Sequence, residues 1–220
     1  MSTAALPHTP HAGQIQRYTF GERLMHWTTG LTYLYCLCTG LAFYTPYLYW
    51  LAYMLGGGPT TRFWHPIVGV IFMVGTIWMS SMWRRDMEIT ADDKRWLDNT
   101  EAYITNDEAH TPPADRFNGG QKLFYWLMLY GAILLLISGV VMWFPEYIPR
   151  QYAWLRQTAI LLHEIAALAT IGGFIIHVYM GVFMVPRSMT AITTGYVTRA
   201  WAWTHHRLWY FRVTGKNGQP

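Results

Sequence analysis

Four stretches of this 220-residue chain are apolar over lengths that a bilayer explains better than a protein core does. They run from about Leu24 to Thr45, Pro66 to Trp83, Leu123 to Phe144 and Thr158 to Val185. The third contains no charged residue, and the fourth contains only Glu164. In hydrocarbon every backbone N–H and C=O must be satisfied within the chain, so a stretch of this kind spans as a helix. The expected fold is all-α, an integral membrane four-helix bundle with four transmembrane helices. Little chain is left over. Residues 1–220 are expected to form a single transmembrane domain, with 84–116 as a polar loop carrying at most a surface helix.

Composition and charge placement agree with a membrane setting. Charged residues make up 13% of the chain, against about 25% in ordinary globular domains. Aromatics reach 17%, as expected where rings line two interfaces or surround a planar cofactor. With four spans, both termini and the 84–116 loop share one side. Thirteen of the 16 Lys and Arg residues fall there, leaving Arg62, Arg150 and Arg156 opposite. Positive charge marks the cytoplasmic side, so both termini are expected in the cytoplasm and the chain in a bacterial inner membrane. The first 20 residues lack the pattern of a secretory signal, so the first span is expected to stay in the mature chain. The net charge of +4 follows from this bias, and no nucleic-acid partner is expected.

Four histidines lie at the ends of the apolar segments: His26, His65, His163 and His177. Ionisable groups in such places are rare and mostly functional. His163 and His177 are 14 residues apart, nearly four helical turns, so one helix offers two imidazoles on one face about 21 Å apart. Helix direction sorts the four by level. Span one rises from the cytoplasm and spans two and four descend, which pairs His26 with His177 on the inner side and His65 with His163 on the outer side. Each pair can clamp one haem iron from opposite faces. Cys36 and Cys38 form no C-x-x-C-H motif, so any haem is b-type and non-covalent. A single interfacial histidine would more simply be a polar side chain bonded locally; two level-matched pairs argue otherwise. His8, His11, His110, His205 and His206 carry no such pattern.

Gly30 and Gly69 each follow a histidine by four residues, and Gly172 and Gly173 lie between the pair on span four. Glycine there lets a porphyrin approach the backbone, or equally lets two helices approach each other. His163-Glu164 begins a zinc-protease H-E-x-x-H, but the fifth position is Ala167, so that reading fails at its second ligand. A plain helical anchor leaves the paired histidines unexplained.

Several motifs resemble a known family. They are R-x-x-H-W at Arg23–Trp27, R-x-x-H-P at Arg62–Pro66, F-N-G-G-Q-K at Phe117–Lys122, H-x13-H-V-Y-M at His163–Met180 and W-x-x-x-H-H-R-x-W-Y at Trp201–Tyr210. Together they resemble the gamma (cytochrome b) subunit of membrane-bound respiratory formate dehydrogenase, over roughly residues 17–212. The resemblance implies two haems b, the outer on His65 and His163 and the inner on His26 and His177. It also implies a quinone, menaquinone or ubiquinone, held near the cytoplasmic side by Asn118, Gly120, Gln121 and His177. Its implied partners are an iron–sulfur beta subunit and a molybdenum- or tungsten-containing alpha subunit that oxidises formate, and it leaves open a higher oligomer of that heterotrimer. This chain would then be the electron-transfer and quinone-reducing subunit, without a catalytic residue for formate. The H-W element is shared with cytochrome b subunits of nickel–iron hydrogenases. That family, or another periplasmic oxidoreductase, is the alternative donor.

Overall fold

The computed structural model describes residues 13–105, 107 and 109–215; His8, His11 and Lys216 lie outside the described residues. In chain order the elements are β1 (Gln14–Gln16), α1 (Phe20–Tyr44), α2 (Trp50–Met54), α3 (Gly58–Trp83), α4 (Ala91–Asp98), α5 (Thr100–Ile104) and α6 (Gly119–Trp143). There follow α7 (Ala153–Tyr179), α8 (Ser188–Thr193), β2 (Tyr196–Thr198), α9 (Arg199–His205) and α10 (Arg207–Thr214). The chain divides into two compact units. One holds Leu24–Met87 and Leu123–Val178; the other holds the described residues up to Arg23, Glu88–Lys122 and those from Tyr179 onward.

The first unit is a bundle of α1, α3, α6 and α7. Its core is Tyr33 of α1, Phe72 and Met73 of α3 and Ala132 of α6, with Phe174 of α7 packed against it. Two glycines permit the close approaches. A Cβ at Gly75 would stand 2.7 Å from Thr29 Oγ1, which draws α3 against α1, and a Cβ at Gly131 would collide with Thr170, which draws α6 against α7. Outward, the bundle is apolar, with Leu31, Val74, Ile137 and Ile175 all exposed. A water-soluble bundle would hide such side chains; here lipid is the covering phase. Among the described residues three helices are long and apolar enough to cross a membrane: α3, α6, and α7 with its flanking turns at Arg150–Met184. α1 has 25 residues and the length to cross, but it is the least apolar of the four, carrying Glu22, Arg23 and four threonines.

Two segments are more helical than the sequence reading has them. The helix that carries the second apolar stretch starts before Pro66: α3 begins at Gly58, with a proline in its first turn and Pro66 inside the helix. An internal proline gives up one backbone bond, a loss that membrane helices absorb through neighbouring groups. His65 therefore lies two turns inside a helix. The segment 84–116, where the sequence left room for one surface helix, carries two short ones, α4 and α5, and buries Met87, Trp96 and Ala114. A reciprocal cap starts α4: Asp93 N–H donates to Thr90 Oγ1, and Thr90 N–H to Asp93 Oδ2.

The second unit adds a small departure from all-α, the antiparallel ribbon of β1 and β2 with Gln14 opposite Thr198. Its centre is Arg17, 4% exposed. The guanidinium lies 5.1–5.3 Å from the ring centres of Trp209, Trp201 and Tyr18. It donates to Arg116 C=O (2.6 Å) and to His206 Nε2 (3.0 Å), while His206 Nδ1–H donates to Asp115 C=O (2.6 Å). His206, part of the W-x-x-x-H-H-R-x-W-Y motif but given no role from the sequence, is thus a fully buried strut in its neutral form.

Burial, then the neighbouring Arg17 charge, holds His206 well below the usual histidine range, and the same causes bring His205 to about 4. Below the ordinary histidine value of about 6.5 the unfolded chain takes up protons that the folded one refuses. Stability of this unit is therefore full above that pH. It falls with acidification towards pH 4, by at most about 1.4 kcal/mol per pH unit for each histidine. Proteolytic cleavage within α9 and α10 should be faster at pH 5 than at pH 7.5, and His206→Gln should flatten the difference. Equal rates at both pH values in the unsubstituted protein would refute this.

Candidate haem sites

All four sequence-selected histidines fall in the helical bundle, on three of its helices. His26 is in the second turn of α1, His65 on α3, and His163 and His177 on α7. The ring centroids of His26 and His177 are 6.1 Å apart, and those of His65 and His163 are 6.4 Å apart. An imidazole nitrogen ligates a transition metal at about 2 Å and lies about 1 Å from its own ring centre. Two rings clamping one iron from opposite faces therefore stand about 6 Å apart, centre to centre. Among the described residues no group of three or more His, Cys, Asp or Glu is placed to hold a bare ion. A facing pair of imidazoles suits a metal whose other four ligands come with it, as in a porphyrin.

The ring nitrogens fit that role. His65 Nδ1 lies 2.6 Å from Thr39 Oγ1, and His163 Nδ1 lies 2.9 Å from Ser138 Oγ. Engagement at Nδ1 leaves Nε2 of each ring for a ligand bond. In the other pair, His26 Nδ1 is buried with no hydrogen-bond partner, a polar atom whose desolvation costs about 1–3 kcal/mol unless something beyond the chain meets it. His177 stacks flat on Phe124, 4.5 Å between centroids and 2° between planes, which fixes its orientation.

The glycines divide. A Cβ at Gly30, Gly69 or Gly172 would meet no other atom within 4 Å, so no helix packs there and a flat cofactor has room. Gly173 is different: a Cβ would approach Leu127 Cδ2 to 2.6 Å, so it serves packing of α7 on α6. Two glycines not singled out in the sequence lie beside the rings of the His65 and His163 pair, where a Cβ would be in ordinary contact. Gly40 and Gly139 would place a Cβ 3.6 and 3.4 Å from Cε1 of His65 and His163 respectively.

Asn118 and Gln121 cap α6 reciprocally. Asn118 N–H donates to Gln121 Oε1 (3.0 Å) and Gln121 N–H donates to Asn118 Oδ1 (2.9 Å). The cap uses the amide oxygens, and Gln121 is exposed, so its NH2 group can donate elsewhere. Asn118 is buried. The double glycine has a packing reason: a Cβ at Gly119 would meet Asp93 C=O at 2.8 Å, and one at Gly120 would meet Trp96 at 3.2 Å.

A family model described as prokaryotic cytochrome b561 matches residues 17–195, most of the chain and all four histidines. The chain belongs to that family, among the cytochrome b subunits of formate dehydrogenase. It is 35% identical over 199 residues to the formate dehydrogenase cytochrome b556(fdo) subunit of Escherichia coli K12, covering 90% of this chain and 93% of that one. To the nitrate-inducible cytochrome b556(Fdn) subunit of the same organism it is 30% identical over 202 residues, covering 90% and 91%. To the formate dehydrogenase cytochrome b556 subunit of Haemophilus influenzae it is 29% identical over 198 residues, covering 90% and 82%. Membership in a cytochrome b family implies haem b as the cofactor. The Thr39 and Ser138 hydroxyls, which touch the histidines of this cytochrome b, left no signal in the sequence. They are 26 and 25 residues from their partners and look like any polar residue in an apolar helix.

Proposed function

We propose that this chain is the membrane electron conduit of a formate-oxidising complex, carrying two haems b and reducing a quinone. The observation that supports it most is the two imidazole pairs, each with the spacing of a clamped iron, with His163 and His177 about 21 Å apart along α7. His65 and His163 would hold the outer haem, and His26 and His177 the inner one. Haem b, when bound, supplies the one-electron redox couple; the chain's work is ligation, orientation and exclusion of water. In this reading α1 also spans, bringing the total to four; both termini are cytoplasmic, and the complex lies in a bacterial inner membrane. Formate is oxidised outside by a molybdenum- or tungsten-containing subunit, and an iron–sulfur subunit delivers electrons to the outer haem. Quinone, menaquinone or ubiquinone, is reduced near Asn118, Gly120, Gln121 and His177 with protons from the cytoplasm, so that electron transfer separates charge.

Purification of the chain from membranes with its tightest partners tests the donor. Formate dehydrogenase subunits support the proposal, and hydrogenase subunits favour the alternative. The quinone reading has its own test. Asn118→Ala and Gln121→Ala each remove a neutral donor, worth about 0.5–1.5 kcal/mol, so quinone binding should weaken by several-fold without being abolished. Haem reduction by formate should stay fast while reoxidation by added quinone slows. Loss of a haem in these variants would make the segment purely structural, and unchanged reoxidation would put the quinone elsewhere.

A further inference from the structure

The two outer histidines share a feature that the inner pair lacks. Each ring meets a hydroxyl residue followed by a glycine on the neighbouring helix: Thr39-Gly40 of α1 against His65 of α3, and Ser138-Gly139 of α6 against His163 of α7. Both hydroxyls are buried, Thr39 fully and Ser138 to within 3%. Each has already spent its single proton on its own helix. Thr39 Oγ1–H donates to Tyr35 C=O (2.8 Å), and Ser138 Oγ–H to Leu134 C=O (2.6 Å). A hydroxyl has one proton to give, so towards the imidazole each oxygen can only accept. Nδ1 of His65 and of His163 must then carry the hydrogen, and Nε2 must present a lone pair.

Resting on the outer-haem reading above, we propose that Thr39 and Ser138 are positioning residues. They lock both outer ligands in the Nε2-ligating tautomer and strengthen them as electron donors to the iron. The physical basis is the partner bond on the far side of a metal-bound imidazole, which fixes the ring and raises its basicity. A more basic imidazole favours ferric over ferrous iron, so the two hydroxyls hold the outer haem at a lower potential than packing alone would. His26 Nδ1, buried without a partner, receives no such support.

The test is a potentiometric titration and a low-temperature electron paramagnetic resonance spectrum of the purified complex, neither of which depends on turnover. Thr39→Val and Ser138→Ala should each raise the outer-haem potential, move its low-spin resonance and lower its retention by about 10-fold or more, the usual cost of losing such a partner. The inner haem should be unchanged, and Thr39→Ser should restore unsubstituted values. Both haems retained with potential and resonance unmoved in Thr39→Val and Ser138→Ala would overturn the proposal, as would a Thr39→Ser variant that behaves like Thr39→Val. Should Thr39→Val fail to accumulate, Ser138→Ala, which deletes one oxygen, decides. His65→Ala separates the two levels: if it keeps the outer haem, the ligation reading itself is wrong.

Discussion

Replacing His65 with alanine should halve the haem bound by the chain, and the haem lost should be the outer one. His163→Ala should lose that same haem, whereas His26→Ala and His177→Ala should both lose the other. The reason is the pairing: His65 faces His163 and His26 faces His177, each at about the separation of two rings sharing an iron. In the proposed reading each b-type haem would be held by its two histidines and packing, with no covalent thioether to retain it. Removing one imidazole would leave the site with one of its two ligating side chains, so the haem should be lost or change its spin state. Pyridine haemochrome quantitation per chain, with spectra of the remaining haem, checks this. His110→Ala is the control, because that ring is exposed and its bond is to Asp107, away from the bundle histidines. Loss of the same haem in the His65 and His26 variants would break the pairing.

The second large effect concerns a buried ion pair. Lys122 Nζ lies 2.6 Å from Asp93 Oδ2, with side chains only 5% and 6% exposed, and it also donates to Glu88 C=O at 2.9 Å. Asp93 Oδ2 in addition accepts from Thr90 N–H and Oγ1–H. Removing one partner leaves the other charge buried and uncompensated, a loss of about 3–5 kcal/mol. Asp93→Ala should therefore raise the open population of segment 88–122 by a hundredfold or more, read as its rate of proteolytic nicking. Asp93→Ala with Lys122→Met should recover much of the loss, because the stranded charge is gone. Were the single variant as resistant as the parent, this pair would be incidental to the fold.

The sequence by itself determined what is local. Apolar length selected the helices α3, α6 and α7, because a bilayer leaves a backbone no other way to bond. A 14-residue spacing set the two imidazole levels, because helical rise converts residue number directly into distance. The same local rules marked the apolar stretch from about Pro66 but not the full length of the helix that carries it. The helix carrying that span starts eight residues earlier, at Gly58, and takes Pro66 into its interior, as membrane helices tolerate. Everything that joins distant residues was decided by the tertiary structure. Thr39 and Ser138 read as ordinary polar residues until packing brings each to a histidine some 25 positions away. Arg17 and His206 are separated by 189 residues, and Lys122 and Asp93 by 29. A hydrogen bond of this kind leaves no periodicity in the chain; it arises where helices close on one another and exclude water, so that each buried polar atom must find its partner across the interface.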